Sequence, residues 1–339
     1  MRVLSLLLLW GLRPGAAALP QAGVDPFAST PEMETWAREA TRGCADTRAR
    51  LACLQRALLE PSFGFDYEAS DTLTAVEAFR HRRGNCFTFT ALFVSLARAT
   101  GLRAEMIRVP EVREVDREGS LVVVVRHLAV AAQDGATVTV VDFGGIDRDV
   151  LHDYSVVDEC EAGAIYHNNR GAQALRDGQA EAALRDLEEA VRLAPGWAEA
   201  RVNLGVALRR SGHVAGAYDA YLDALRLDPG NASALANLAV LYALEGRPED
   251  QAHALRAAAR RGATVYALLA LAQVEMAHQD LPAARRALRR ARWRDPGLSE
   301  LHDAWATWHA LAGHERAARR HLRKAWPAGT PPTGTPPPP

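Results

Sequence analysis

An apolar run from Phe87 to Leu96, closed by Thr100-Gly101, is the pattern around which the chain is arranged. It predicts a buried helix with Gly101 as its left-handed stop. The turn of small residues Gly84-Asn85 places Cys86 in the first turn of that helix. Unpaired N–H groups there carry partial positive charge, which lowers a thiol pKa and favours the thiolate. Upstream, residues 31–59 show helical spacing in Trp36, Ala40 and Cys44, then in Leu51, Leu54 and Leu58. Residues 19–30 read as an extended leader, Pro61-Ser62-Phe63-Gly64 breaks the chain, and Thr74-x-x-Glu77 has capping-box form for a short helix through Phe79.

After Gly101 the period changes from helical to alternating. Ala104–Val109 reads as a strand, residues 110–119 as a charged flap, Leu121–Ala132 as a long strand and Thr137–Phe143 as its return. Asp134-Gly135 is a favoured centre for a two-residue hairpin turn. With that centre Gln133 faces Ala136, and the numbers of paired residues add to 269. His127 and Asp142 then stand opposite each other, with Cβ atoms roughly 4.5–5.5 Å apart.

From Ala162 strand signals vanish and a repeat begins. Gly171, Gly205, Ala239, Ala272 and Ala306 recur at steps of 34, 34, 33 and 34. Ala183, Ala217, Ala284 and Ala317 hold a second small position. Pro195, Pro229 and Pro296 close three repeats, with Ala263 in place of the fourth proline. Small residues at fixed places let paired helices approach closely and stack. Tyr166-His167-Asn168-Asn169-Arg170-Gly171, Asn203-Leu204-Gly205 and Leu227-Asp228-Pro229 resemble tetratricopeptide repeats, four and a degenerate fifth over 162–326. The resemblance implies an array that binds a protein or peptide.

A thiol, an imidazole and a carboxylate are the parts of a nucleophilic acyl-transfer site. Gly84-Asn85-Cys86, the apolar helix ending Gly101-Leu102-Arg103-Ala104, then His127 and, fifteen residues later, Asp142 resemble the transglutaminase-like cysteine superfamily over residues 65–150. The resemblance implies Cys86 as nucleophile, His127 as base and Asp142 as orienting acid, acting on amide bonds by hydrolysis or acyl transfer; some members have lost activity. Phe87 stands where many members have tryptophan, and no tryptophan follows His127. The oxyanion donor is open, the Cys86 N–H being one candidate. His81 is an alternative base, and Asp147 or Asp149 an alternative acid. A cysteine in an apolar helix also serves simply as a small hydrophobe. His152, His213, His253, His302, His309 and His314 fit no ligand set. No cofactor motif or metal-binding spacing is present.

The fold expected is therefore an α+β papain-like or transglutaminase-like domain at residues 31–161, followed by an all-α tetratricopeptide-repeat solenoid. Residues 1–18 have signal-peptide form: Arg2, the apolar stretch Val3–Leu12, and the cleavage site Ala16-Ala17-Ala18. The apolar stretch is short of the about 20 residues that span a bilayer, so no transmembrane span is expected in the mature chain. Export, periplasmic or secreted, implies an oxidising compartment in which Cys44 and Cys53 could pair; Cys160 is a buried thiol or a partner for Cys86. Residues 327–339 form a proline-rich tail, expected to be disordered. Residues 19–161 carry 15 arginines against 23 acids, whereas residues 264–324 carry 11 basic residues against 6 acids. The basic end is expected to be a solvated helix face, and the expected export argues against nucleic-acid binding. Two functions follow: an exported cysteine enzyme whose array holds a protein substrate or partner, or an inactive scaffold in an envelope complex.

Overall fold

The computed structural model describes residues 24–118, 121–134, 137–141 and 154–326, with backbone alone for 109–118, 121–127, 133–134 and 137. The expected signal peptide, the proline-rich tail, Asp142, Asp147, Asp149 and His152 lie outside the described residues. The chain divides into two compact units. The first runs to Glu111 and resumes from His127 to Tyr166; the second takes Val112–Arg126 and the chain from His167.

The first unit is built on α4 (Cys86–Ala99), whose residues Phe87 to Ala97 are all buried. A helix apolar on every side must be enclosed, and α1 (Pro31–Ala40), α2 (Thr47–Leu59) and α3 (Ala75–His81) pack on it. Local chemistry sets each start. Thr30 caps α1 ahead of Pro31, Asp46 caps α2, and Thr74 and Glu77 form the expected capping box of α3. Leu51, Leu54 and Leu58 are buried as their spacing predicts. On α1 the buried residues are Met33 and Ala37, while Trp36 meets Phe63 at a tilt and Phe79 edge-on, with centroids 5.0 and 5.7 Å apart. Cys44 and Cys53 form a disulfide tying the α1–α2 loop to α2. Cys86 and Cys160 keep their thiols, so the alternative pairing of these two is not found.

Three expectations need correction. The stretch 24–30 is not extended throughout but turns at Pro26–Phe27 and packs on the unit: Phe27 is buried under the Arg98 guanidinium, the Pro26 carbonyl accepts the Ala75 N–H at 2.9 Å, and the Ala28 carbonyl accepts Ser95 Oγ at 3.3 Å. The expected flap is not a break in the sheet, because β3 runs unbroken from Arg103 to Glu118 beside β4 (Leu121–Asp134). Pairing with a neighbouring strand satisfies the backbone whatever the side-chain charge. The third concerns register. β4 pairs with β5 (Thr137–Val141) from Asp134↔Thr137 to Val130↔Val141, so the connection is residues 135 and 136 rather than 134 and 135. Paired numbers add to 271 rather than 269 along this ladder, and the expected pair of His127 with Asp142 lies outside the described residues. The shift keeps the alternation of faces along each strand. The sheet order is β5-β4-β3-β6, with β1 (Asp66–Tyr67) and β2 (Arg83–Gly84) a separate parallel pair and β6 being Ser155–Val156. Ile107, Ala129 and Ala131 bury one face against Val140 and Tyr154.

Helices α5 (Glu159–Arg176), α6 (Ala180–Leu193), α7 (Ala198–Arg210), α8 (Val214–Leu227), α9 (Ala232–Leu244), α10 (Pro248–Arg260), α11 (Val265–Ala277), α12 (Leu281–Arg294), α13 (Ser299–Leu311) and α14 (Glu315–Ala325) follow in hairpin pairs. α5 starts three residues before Ala162, and the two units divide inside it, after Tyr166. The small positions sit at the close approaches. A Cβ on Gly171 would come 2.5 Å from Leu187 Cγ, and one on Gly205 would come 2.4 Å from Tyr221 Cε1. Ala239, Ala272 and Ala306 are buried at the equivalent places. Asn203 Nδ2 donates to Asn168 Oδ1 at 2.9 Å, joining adjacent repeats, and Arg256 grips buried Glu275 through two bonds of 2.7 Å.

The last hairpin gathers four imidazoles that their spacing did not reveal. His302 Nδ1 lies 3.3 Å from His321 Nδ1, and His309 Nδ1 lies 3.5 Å from His314 Nδ1. The His309 and His321 rings stack at 5.4 Å beside Trp305. Burial, then the neighbouring His302, His309, Arg320 and Lys324, pushes His321 down to about 4. Burial and Lys324 lower His302, while burial, His314, Arg320 and Arg285 lower His309.

Two outcomes are expected. Gly205→Ala overpacks the α7–α8 contact, at about 1–3 kcal/mol, whereas Gly216→Ala on α8 meets only ordinary contacts at 3.5 Å and gains up to about 1 kcal/mol of helix propensity. Urea unfolding should therefore shift in opposite directions for the two variants. The second outcome concerns pH. Because the folded state resists protonating His321, the unfolded chain binds more protons below about pH 6.5. Stability is then undiminished above that pH and falls toward pH 4. Tryptophan-monitored urea unfolding should show a smaller acid loss in His321→Gln than in wild type.

Candidate active site

Cys86 is the first residue of α4 and is partly exposed between buried neighbours on both sides. Its approach is tightly determined. α3 ends at Arg82 in the left-handed conformation (φ 55°, ψ 35°), β2 pairs in parallel with β1, and Gly84 adopts φ +150°. A Cβ on Gly84 would lie 2.2 Å from Thr88 Cγ2, so only glycine lets the chain pass.

Asn85 then caps α4, accepting the Thr88 N–H on Oδ1 at 3.1 Å. Its Nδ2 donates to Thr72 Oγ1 at 2.7 Å, and its own N–H donates to the Asp71 carbonyl at 3.0 Å. Thr88 is wholly buried, and its hydroxyl accepts the Leu73 N–H at 2.8 Å and donates to the Asp71 carbonyl at 2.9 Å. The Asp71 carboxylate pairs with Arg83 Nε at 2.7 Å. Residues 71–73 thus form a clamp on both sides of the cysteine. Buried bonds of this kind are expensive to leave unmade.

The sheet meets the same helix one turn on. Thr90 Oγ1 donates to the Leu128 carbonyl at 3.4 Å. Thr90 is four residues after Cys86, hence on the same helical face, and Leu128 follows His127 on β4. The His127 side chain and Asp142 lie outside the described residues. His81 is exposed at the end of α3, within the same unit. A cavity of about 310 Å³ lined by Met33, Trp36, Phe63, Val76, Phe79 and Arg82 lies in this unit, and Cys86 does not line it. Among the described residues no group of three or more His, Cys, Asp or Glu could hold a metal ion, and no helix is long and apolar enough to cross a membrane. The clamp residues Asp71, Thr72 and Leu73 carry no spacing signal toward Cys86; only Asn85, a helix-capping type before an apolar run, could have been picked out in advance.

Residues 34–130 match the transglutaminase-like superfamily. Residues 220–253 match the tetratricopeptide repeat. The chain thus joins a transglutaminase-like domain to tetratricopeptide repeats. No curated protein matches it by sequence. Among solved structures, MamA (residues 41 to the end) of Desulfovibrio magneticus RS-1 is 22% identical, covering 48% of this chain and 93% of its own, with a TM-score of 0.40. The pilF protein of Pseudomonas aeruginosa is 19% identical over 50% of this chain and 77% of its own, with a TM-score of 0.45. YrrB, a TPR protein with an unusual peptide-binding site, is 19% identical over 48% and 85%, with a TM-score of 0.38.

The clamp predicts its own energetics. Thr88→Val keeps the shape but leaves the Leu73 N–H without its acceptor and takes one of two donors from the Asp71 carbonyl, and should lower the unfolding free energy by about 1–3 kcal/mol. Chemical denaturation of the two proteins measures it; a loss below about 0.5 kcal/mol, the range of a neutral surface change, would remove the clamp's structural role.

Proposed function

We propose that this protein is an exported transglutaminase-like cysteine enzyme acting on a peptide or protein amide, with its repeat array holding the protein substrate or a partner. The observation that carries this reading is the Thr90–Leu128 bond, which keeps the strand of His127 against the helical face that begins with Cys86. In this reading the Cys86 sulfur attacks the amide carbonyl, and His127 takes the thiol proton and returns it to the departing amine. Asp142 orients the imidazole. The acyl group passes to sulfur as a thioester, which water or a second amine then resolves. The Cys86 N–H, at the helix start, is a natural donor to the developing oxyanion.

The tetratricopeptide repeats support protein binding, since stacked helix pairs present an extended surface suited to a peptide or helix. Export to an oxidising compartment is supported by the Cys44–Cys53 disulfide, a bond kept reduced in most cytosols.

Alkylation with iodoacetamide at about pH 6 tests the reading. An ordinary thiol of pKa near 8.5 is almost wholly protonated there, whereas an activated one reacts. Mass mapping should find Cys86 modified well ahead of Cys160, which also keeps its thiol and is also partly exposed. His127→Ala should slow Cys86 labelling at least about tenfold, the scale of a lost ion-pair partner worth one pKa unit. Equal, slow labelling of both cysteines would instead identify an inert domain carried on a repeat scaffold.

A further inference from the structure

The second helices of the repeats change charge along the array. α6 carries two arginines against four acids and α8 one against two; α10 is balanced with two of each. α12 carries Arg285, Arg286, Arg289, Arg290, Arg292 and Arg294 with no acid. The closing prolines allow a position-by-position comparison. Three residues before Pro195 and Pro229 stand Arg192 and Arg226, each bound to an acid one turn earlier, Glu189 and Asp223. Three residues before Pro296 stands Trp293, and one turn earlier stands Arg290. A repeated surface ion pair is here replaced by an indole and a guanidinium.

Trp293 is 87% exposed. Arg286, Arg289 and Arg290 share its helical face by their spacing of seven, four and three residues. Arg290 donates to the Ala259 carbonyl and Arg285 lies over the Trp308 ring. Arg286, Arg289, Arg292 and Arg294 have no ion-pair partner among the described residues. Uncompensated guanidinium groups call for an anionic counterpart, and their planar forks match phosphate oxygens.

The lone indole chooses between counterparts. A stable protein interface needs roughly 800 Å² per partner around an apolar centre. α12 exposes no second large apolar side chain beside Trp293. A bilayer surface needs less: an indole settles at the headgroup level, and each arginine near an anionic leaflet adds about 1 kcal/mol. We propose that the outer face of α12, centred on Trp293 and ringed by Arg286, Arg289 and Arg290, docks the protein on an anionic phospholipid surface. This holds whether or not Cys86 turns over a substrate.

Sedimentation of the full chain with vesicles tests the proposal. Phosphatidylcholine vesicles containing phosphatidylglycerol should bind it, and pure phosphatidylcholine vesicles should not. Arg286→Gln/Arg289→Gln should weaken partitioning about fivefold for each charge removed, and rising salt should weaken the wild type. Trp293→Ala should also release the protein and abolish the quenching by brominated lipid that wild type shows. These positions are exposed, so circular dichroism should confirm unchanged folding. Absent binding, equal binding to neutral vesicles, or variants that bind like wild type would overturn the proposal. So would Trp293-dependent binding of poly-glutamate or DNA without vesicle binding, which would give the face to a macromolecular partner.

Discussion

The clamp between residues 71–73 and the first turn of α4 is the constraint on which the first unit depends. A helix buried on all sides gains its stability from apolar contact, which is non-directional. Its polar end must be fixed by bonds that are directional. Asn85 and Thr88 supply them to the Asp71 carbonyl, the Thr72 hydroxyl and the Leu73 N–H. Gly84 is the geometric condition for that closeness, because any side chain there would occupy the place of Thr88. The cysteine is therefore flanked by neighbours, Asn85 and Thr88, that are held by several hydrogen bonds each.

The repeat unit solves a different problem. Each helix pair closes at a glycine or alanine, so the backbone spacing rather than any one large contact carries the stack. Polar bonds such as Asn203–Asn168 and Arg256–Glu275 fix the register of hairpins that apolar contact alone would let slide. The final hairpin departs from this economy. Its two helices meet through tryptophan and imidazole rings whose protonation burial and nearby cations oppose, so its packing is tied to pH in a way the alanine-lined contacts are not.

The two units also differ in what they offer outward. The first keeps Cys86 partly exposed between buried neighbours. The second turns its excess cations outward on α12, beside an indole in a place where other repeats have an ion pair. A catalytic reading of the first and a docking reading of the second rest on separate residues and stand or fall separately.

Much of this architecture is written in short stretches of chain. Thr74 with Glu77, Asn85 before an apolar run, Gly101 after it, and small residues at a period near 34 act through neighbours one or two turns away, so their consequences can be read without the fold. The hairpin register could not be read this way. The Asp134-Gly135 dipeptide favours one turn centre, but the ladder pairs Asp134 with Thr137, a choice made by strand pairing over the whole hairpin rather than by two turn residues. Nor could the clamp or the pairing of His302 with His321, whose partners lie 13 to 19 residues apart and meet only because the chain packs. Local hydrogen bonds and backbone preferences are short-ranged, and the sequence alone decided what depends on them. Packing is long-ranged, and it alone decided which strand passes Cys86 and what holds that residue in place.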